Sequence, residues 1–410
     1  MRGPPAPRRG ADLRNLGIIQ DGAVLIADGL IREVGTTRRL DNLAQAQDAI
    51  EINANGKVVA PGFVDCHTHL VSGPARREDY EMRLAGATSG EISDAGGGIP
   101  ALYKALQTVS LPNLEIHAMR LLKESVRHGS TMLESKSGYG VTESSEVRIL
   151  RTHAALNKRL GNVLSTFMMA RFLPPTFVNA REGYVPWVCT HLLPLVRRMK
   201  LAEFVDVACE EAEFSLEQAR QILTCAKELG FAIKLHAGQH GNLGGMRLAA
   251  HLGAVSVDHA IFFDCSDVAA LAQSPTIVTL LPGPVFYQGD QRYAAARTLI
   301  DQGVAVTLGT DYNPETCPTT NMQMIVSLAC RKMGMTPAEA LSAATINAAY
   351  AVLRGNTIGS IEFGKKADLI VLGVPDYREI PYHFGDNVVE MTIKDGMPIY
   401  QASEVKWPRA

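Results

Sequence analysis

At 410 residues the chain can bury a large core, and its length permits more than one domain. A formal net charge of −2 gives no electrostatic case for a nucleic acid or an anionic membrane as partner, and no apolar run approaches the length of a membrane span. Seven cysteines occur singly without a Cys-x-x-Cys, which argues against a disulfide framework and a thiolate zinc site and fits a reduced, cytoplasmic setting.

In chain order, residues 1–10 carry charge and proline with no apolar stretch behind them. They do not read as a secretory signal, and a short disordered arm is expected, with no nucleic-acid role for Arg2, Arg8 or Arg9. Gly22–Ala27, Leu30–Gly35 and Lys57–Ala60 are short strand-like runs separated by turn residues. Pro61-Gly-Phe-Val-Asp-Cys-His67-Thr-His69 follows, a buried-type strand with two imidazoles two residues apart. Side chains at i and i+2 of a strand leave the same face, so His67 and His69 can hold one cation together. Cys66, between them, points to the other face and is read as packing.

From there apolar strand-like runs alternate with helix-like ones. Val163–Ala170, Phe204–Ala208, Ala232–His236, Ala254–His259, Thr276–Leu281 and Val304–Asp311 are the strand candidates. Ser215–Gly230 reads as a helix with Ser215 as N-cap and Gly230 at its C-terminal end, and Thr336-Pro337 opens another. Gly241–Met246 has the composition of a phosphate cradle but is expected to be a tight strand-to-helix turn. Short strands return at Ala367–Gly373 and Val388–Lys394.

Repeated βα units point to a parallel sheet, either closed or open. Three strand candidates end in His236, His259 and Asp311, which with His67 and His69 span roughly 250 residues; a closed barrel brings such strand ends to one mouth. The expected fold is α/β, a distorted (β/α)8 barrel over residues 61–357, flanked by small β-rich segments at 1–60 and 358–410. His67, His69, His236 and Asp311 are the candidate metal ligands, the alternative being satisfied core histidines. Three imidazoles and a carboxylate suit one zinc-like divalent ion and would also accept iron or manganese. Such an ion lowers the pKa of its water toward neutrality and makes hydroxide available. His259 is a candidate second catalytic residue that polarises the substrate.

Further motifs narrow the reading. Leu84-Ala-Gly-Ala-Thr88, Glu91-Ile92, Ala95-Gly-Gly-Gly-Ile99, Glu134-Ser-Lys-Ser-Gly-Tyr-Gly140, Asp311-Tyr-Asn-Pro314 and Ala343-Ala-Thr-Ile-Asn-Ala-Ala-Tyr350 resemble the imidazolonepropionase family of the amidohydrolase superfamily, from about Gly22 to Tyr400. The resemblance implies that both chain ends pair into one small β-sandwich, that the chain is a homodimer, and that Asp311 moves a proton to the leaving nitrogen. It implies a small-molecule substrate, a ring with a carboxylate tail, held by Arg76 and Tyr139 with Asn313 and Thr316 nearby; Arg76 suits the carboxylate because its planar fork pairs with both oxygens.

Three positions depart from the family pattern. Arg171 stands where the family has a substrate-contacting histidine, and it also cannot serve as the ligand for a second metal. Gln239 replaces a glutamate three residues after His236; it cannot take a proton, although the titratable His240 beside it could partly replace that base. Glu315 stands where the family has a small residue. These changes preserve the metal and alter the pocket. The expected enzyme is a metal-dependent cyclic amidohydrolase attacking an imidazolone, hydantoin or thiohydantoin propionate with activated water. Its rivals are an imidazolonepropionase yielding N-formimidoyl-glutamate, a desulfhydrase on a thiohydantoin propionate, and a non-catalytic ligand-binding paralogue.

Overall fold

A computed structural model describes residues 5–402. The chain begins the small sheets with the antiparallel hairpin β1 (Gly22–Ala27) and β2 (Leu30–Thr36), then β3 (Val58–Pro61). Two residues later it enters the barrel. Strands β4 (Phe63–Thr68), β5 (Ser130–Lys136), β6 (Val163–Ala170), β7 (Phe204–Cys209), β8 (Ala232–Ala237), β9 (Ser256–His259), β10 (Ile277–Leu280) and β11 (Val306–Leu308) pair side by side in sequence order, all parallel. The chain ends return as β12 (Leu369–Leu372), β13 (Val389–Lys394) and β14 (Met397–Gln401), with β12 pairing both β3 and β13. Ile31 of the hairpin packs with Ala367, Leu369 and Ile393 of the second sheet, so the expected small sandwich of both chain ends is what forms.

The barrel is distorted where register slips between β4 and β5 and between β6 and β7. Its seam closes beyond the three-residue β11: Asp311 N–H donates to the His67 carbonyl at 2.9 Å and His69 N–H to the Tyr312 carbonyl at 2.8 Å. Asp65 reinforces that seam, its carboxylate accepting from the Thr310 N–H (3.0 Å) and hydroxyl (2.6 Å). Val64 and Cys66 are buried in an apolar cluster with Met132, Leu164, Phe204, Ala348 and Ala349, and after the register slip between Asp65 and Thr68 the rings of His67 and His69 stand together at the barrel mouth.

Local signals set several helices. Ser215 and Gln218 form a reciprocal capping box at Leu216–Glu228, and Thr336 and Glu339 form another at Pro337–Ser342. Gly241–Met246 is a turn, with Gly244 at φ +83° opening the helix Gly245–Leu252.

The expectation of a disordered arm at 1–10 needs correction for the part described. Arg8 N–H donates to Asn347 Oδ1 at 2.7 Å, Asn347 Nδ2 donates back to the Arg8 carbonyl at 2.9 Å, and Arg9 donates to the carbonyls of Ser274 (2.6 Å) and Gly303 (2.9 Å). A polar, proline-rich segment is ordered here because distant side-chain and backbone groups satisfy it. Residues 1–4, with Arg2, lie outside the described residues. Among the described residues no helix is long and apolar enough to cross a membrane.

Candidate metal centre

Five side chains converge at the carboxyl ends of the barrel strands: His67 and His69 from β4, His236 from β8, His259 from β9, and Asp311 just past β11. Donor atoms of His67, His236 and His259 lie within 4.8 Å of one another, as do those of His67, His69 and Asp311, and all five residues are buried. His67 Nε2 is 3.5 Å and His69 Nε2 3.8 Å from Asp311 Oδ1; the rings of His236 and His259 stand 3.9 Å apart, centre to centre. His259, expected to act on the substrate, thus sits among the ligand atoms themselves. Its backbone (φ +82°) and that of Asp311 (φ +51°) lie in the left-handed region that non-glycine residues seldom adopt. Such backbone strain is often found at functional sites.

Hydrogen bonds on the outer side of the rings aim their lone pairs inward. His67 Nδ1 is 2.8 Å from Asp258 Oδ2, His69 Nδ1 is 3.2 Å from the Lys136 carbonyl, and His236 Nε2 is 2.7 Å from Gln239 Oε1. An oxygen of each kind accepts, so the nitrogen it touches carries the proton and the other ring nitrogen presents a lone pair. His67 Nε2, His236 Nδ1, His259 Nε2 and Asp311 Oδ1 are buried and have no hydrogen-bond partner among the described residues. Buried polar atoms left unpaired carry a desolvation cost. These four atoms belong to two donor groups that share His67, a set whose chemistry fits a divalent cation. Burial holds His69, His236 and His259 well below the ordinary histidine pKa, keeping them neutral as ligands must be, and pushes the Asp311 carboxyl up.

Beneath the ligands the barrel interior is ionic. Lys136 Nζ donates to Asp206 (2.6 Å) and Asp258 (3.0 Å) and pairs with Glu134 (3.1 Å); Lys234 pairs with the other oxygen of Glu134. Burial disfavours the Lys136 charge, but Asp206, Asp258 and Glu134 outweigh it and hold the ammonium well above its usual pKa. The sequence reading took Glu134 and Lys136 only as part of a family motif. Their i, i+2 spacing on one strand was the available sign that both point into the barrel.

The pocket candidates divide. Tyr139 reaches the site: its ring stands edge-on to His69 at 5.0 Å, and its hydroxyl is buried with no partner. Gly138 makes this placement possible, since its φ is +110° and a Cβ there would lie 2.7 Å from the Met168 carbonyl. Arg171 lies over the Tyr139 ring at 4.8 Å, with its Nη1 2.6 Å from His69 Nε2. Glu315 is partly buried, its pKa raised by burial against the pull of Arg171, Arg83 and Arg76. Arg76 spends its fork on Asp79, at 2.8 and 2.5 Å, so its bidentate face is already engaged.

Asn313 and Thr316 were expected near the substrate, but each uses its polar atoms within the loop: Asn313 Nδ2 donates to the Asp311 carbonyl and to Thr316 Oγ1, and its Oδ1 accepts from the Glu315 and Thr316 N–H groups. They shape the turn that carries Asp311. His240 was offered as a replacement base, yet it is exposed and only its N–H is held, by Glu210 at 3.2 Å. Gln239 is placed to orient His236, and its own N–H is fixed by Glu210 at 2.7 Å.

Comparison with known proteins agrees with this geometry. A family model described as "Amidohydrolase family" matches residues 58–399. An imidazolonepropionase of Geobacillus sp. strain WCH70 is 41% identical over 403 residues, 98% of this chain and 95% of that protein. One from Parabacteroides distasonis is 41% identical over 390 residues, covering 95% and 94%. Among solved structures, a 5-methylcytosine deaminase from Klebsiella pneumoniae superposes with TM-score 0.71 at 16% identity, covering 94% of this chain and 96% of its own. An adenosine deaminase from Xanthomonas campestris with bound zinc superposes with TM-score 0.69 at 19% identity, covering 94% and 90%. At those identities the structural likeness speaks for the fold alone.

Proposed function

This chain belongs to the amidohydrolase family as an imidazolonepropionase-like cyclic amidohydrolase, and on that footing we propose that it hydrolyses a five-membered imidazole-derived ring bearing a carboxylate tail. The observation that carries the reading is the convergence of His67 Nε2, His236 Nδ1, His259 Nε2 and Asp311 Oδ1 as buried atoms without partners. Together with His69 they would hold one divalent ion, zinc first by donor chemistry, with iron or manganese also accommodated. When bound, that ion supplies Lewis acidity toward water and a ring carbonyl.

The chain's own groups supply the rest. With Oδ1 given to the ion, the second carboxylate oxygen of Asp311 takes the proton released from attacking water and passes it to the departing ring nitrogen. The Tyr139 hydroxyl is the unpartnered donor for a ring oxygen or the tail. Arg171, flanked by Tyr139 and Phe172, supplies a cation beside the ring position. Gln239 holds His236 in its ligand tautomer and does not ionise.

Arg171 and Gln239, in place of the family's histidine and glutamate, favour a more oxidised or sulfur-bearing ring, a hydantoin or thiohydantoin propionate, whose carbonyl or thiocarbonyl does not call for that glutamate. Identity of 41% across nearly the whole chain favours the second reading, imidazolone propionate itself. The zinc-loaded protein should be assayed on imidazolone, hydantoin and thiohydantoin propionates. Turnover of imidazolone propionate at rates typical of enzymes, about 1–1000 per second, would rule out the specialised ring. If it prefers another ring, Gln239→Glu, alone or with Arg171→His, should shift activity toward imidazolone propionate.

A further inference from the structure

Of the four histidines at the centre, His69 is distinguished by having its inward nitrogen taken. Arg171 Nη1 donates to His69 Nε2 at 2.6 Å, while His69 Nδ1 donates to the Lys136 carbonyl at 3.2 Å. The corresponding nitrogens of His67, His236 and His259 have no hydrogen-bond partner among the described residues. An imidazole nitrogen offers one lone pair, and a zinc-like ion would use it at about 2.0–2.1 Å. A guanidinium donating to that lone pair and an ion coordinated by it exclude each other, and their like charges repel at this range.

We propose that Arg171 is a built-in competitor for the metal centre: its bond to His69 Nε2 must break before His69 can serve as a ligand. The contacts that hold Arg171 permit that break. The faces of Tyr139 (4.8 Å) and Phe172 (5.1 Å) support the guanidinium without engaging its N–H groups. The partly buried Glu315, its backbone N–H bonded to Asn313 Oδ1, has no hydrogen-bond donor on its carboxylate among the described residues, and its negative charge favours Arg171 away from an ion. Withdrawal of Arg171 frees the His69 lone pair and removes a positive charge from beside the ion. The apparent metal affinity is then lower than the five donors alone would give, by the fraction of molecules in which His69 is free.

The inference rests on the metal centre of the proposed function but not on its substrate. It is tested by titrating metal-free protein with Zn2+ alone against a chromophoric chelator. Arg171→Met should bind zinc about tenfold or more tightly than the native chain. Glu315→Gln, which leaves Arg171 in place, should bind it at least about threefold more weakly, and that loss should vanish in the Arg171→Met background. Zinc binding in Arg171→Met no tighter than native overturns the competition. An equal loss from Glu315→Gln in both backgrounds also overturns it, because Glu315 would then act by its own field on the ion. A native chain that binds no zinc overturns the metal centre itself and this inference with it.

Discussion

Asp258 accepts from His67 Nδ1 at 2.8 Å through the same carboxylate oxygen, Oδ2, that Lys136 contacts at 3.0 Å. One buried oxygen therefore couples the orientation of a ligand ring to the ionic interior of the barrel. Asp258→Asn keeps the volume but removes the charge, leaving one neutral amide oxygen as a weaker acceptor for His67 and Lys136. Metal affinity should fall by about 10–100-fold, measured by chelator competition. Unchanged affinity would show that Asp258 serves the fold and not the ligand.

The five-donor centre makes a direct prediction for its members. His67→Ala, His236→Ala and Asp311→Ala should each lose bound metal and activity together, read by elemental analysis of purified protein and by turnover. A full equivalent of metal retained in all three variants would dismiss the assignment.

Tyr139 allows a test that separates binding from stability. Its hydroxyl is buried without a partner, so Tyr139→Phe removes a polar group that gains nothing in the free protein. The melting temperature should stay level or rise, while substrate binding weakens by about 1 kcal/mol, one hydrogen bond's worth. A lower melting temperature with unchanged KM would make the hydroxyl structural.

Acid should find a weak point at His153. Its ring is buried between the hydroxyls of Ser135 (2.8 Å) and Ser165 (3.0 Å), and burial lowers its pKa from 6.5 to about 3. Between those values the unfolded chain binds a proton that the folded one does not, so this site's contribution to stability is full above about pH 6.5 and shrinks as pH falls toward 3. His153→Gln should flatten that part of the stability profile in denaturant titrations from pH 7 to 4. Parallel profiles for the two proteins would place the acid sensitivity elsewhere.

What the sequence by itself determined is what depends on neighbours along the chain. The spacing of His67 and His69 puts both on one strand face, because alternation is a property of the extended backbone. Strand ends carrying His236, His259 and Asp311 implied a common mouth once the βα repeat was read. Ser215 and Thr336 declared their helix starts because a capping box is built within four residues. Tertiary structure alone decided the partners. Asp258, Lys136, Asp206, Glu134 and Lys234 come from four different strands, and no local pattern states that their charges meet. Arg8 finds Asn347 across 339 positions, which turned an expected loose segment into a docked one. Asn313, legible as polar and near Asp311, proved to satisfy itself within its own turn. Arg171 could be read as a cation where the family has an imidazole. That it would lie against His69 depends on β4 and β6 standing two strands apart in a closed barrel, a proximity set by packing and not by sequence distance.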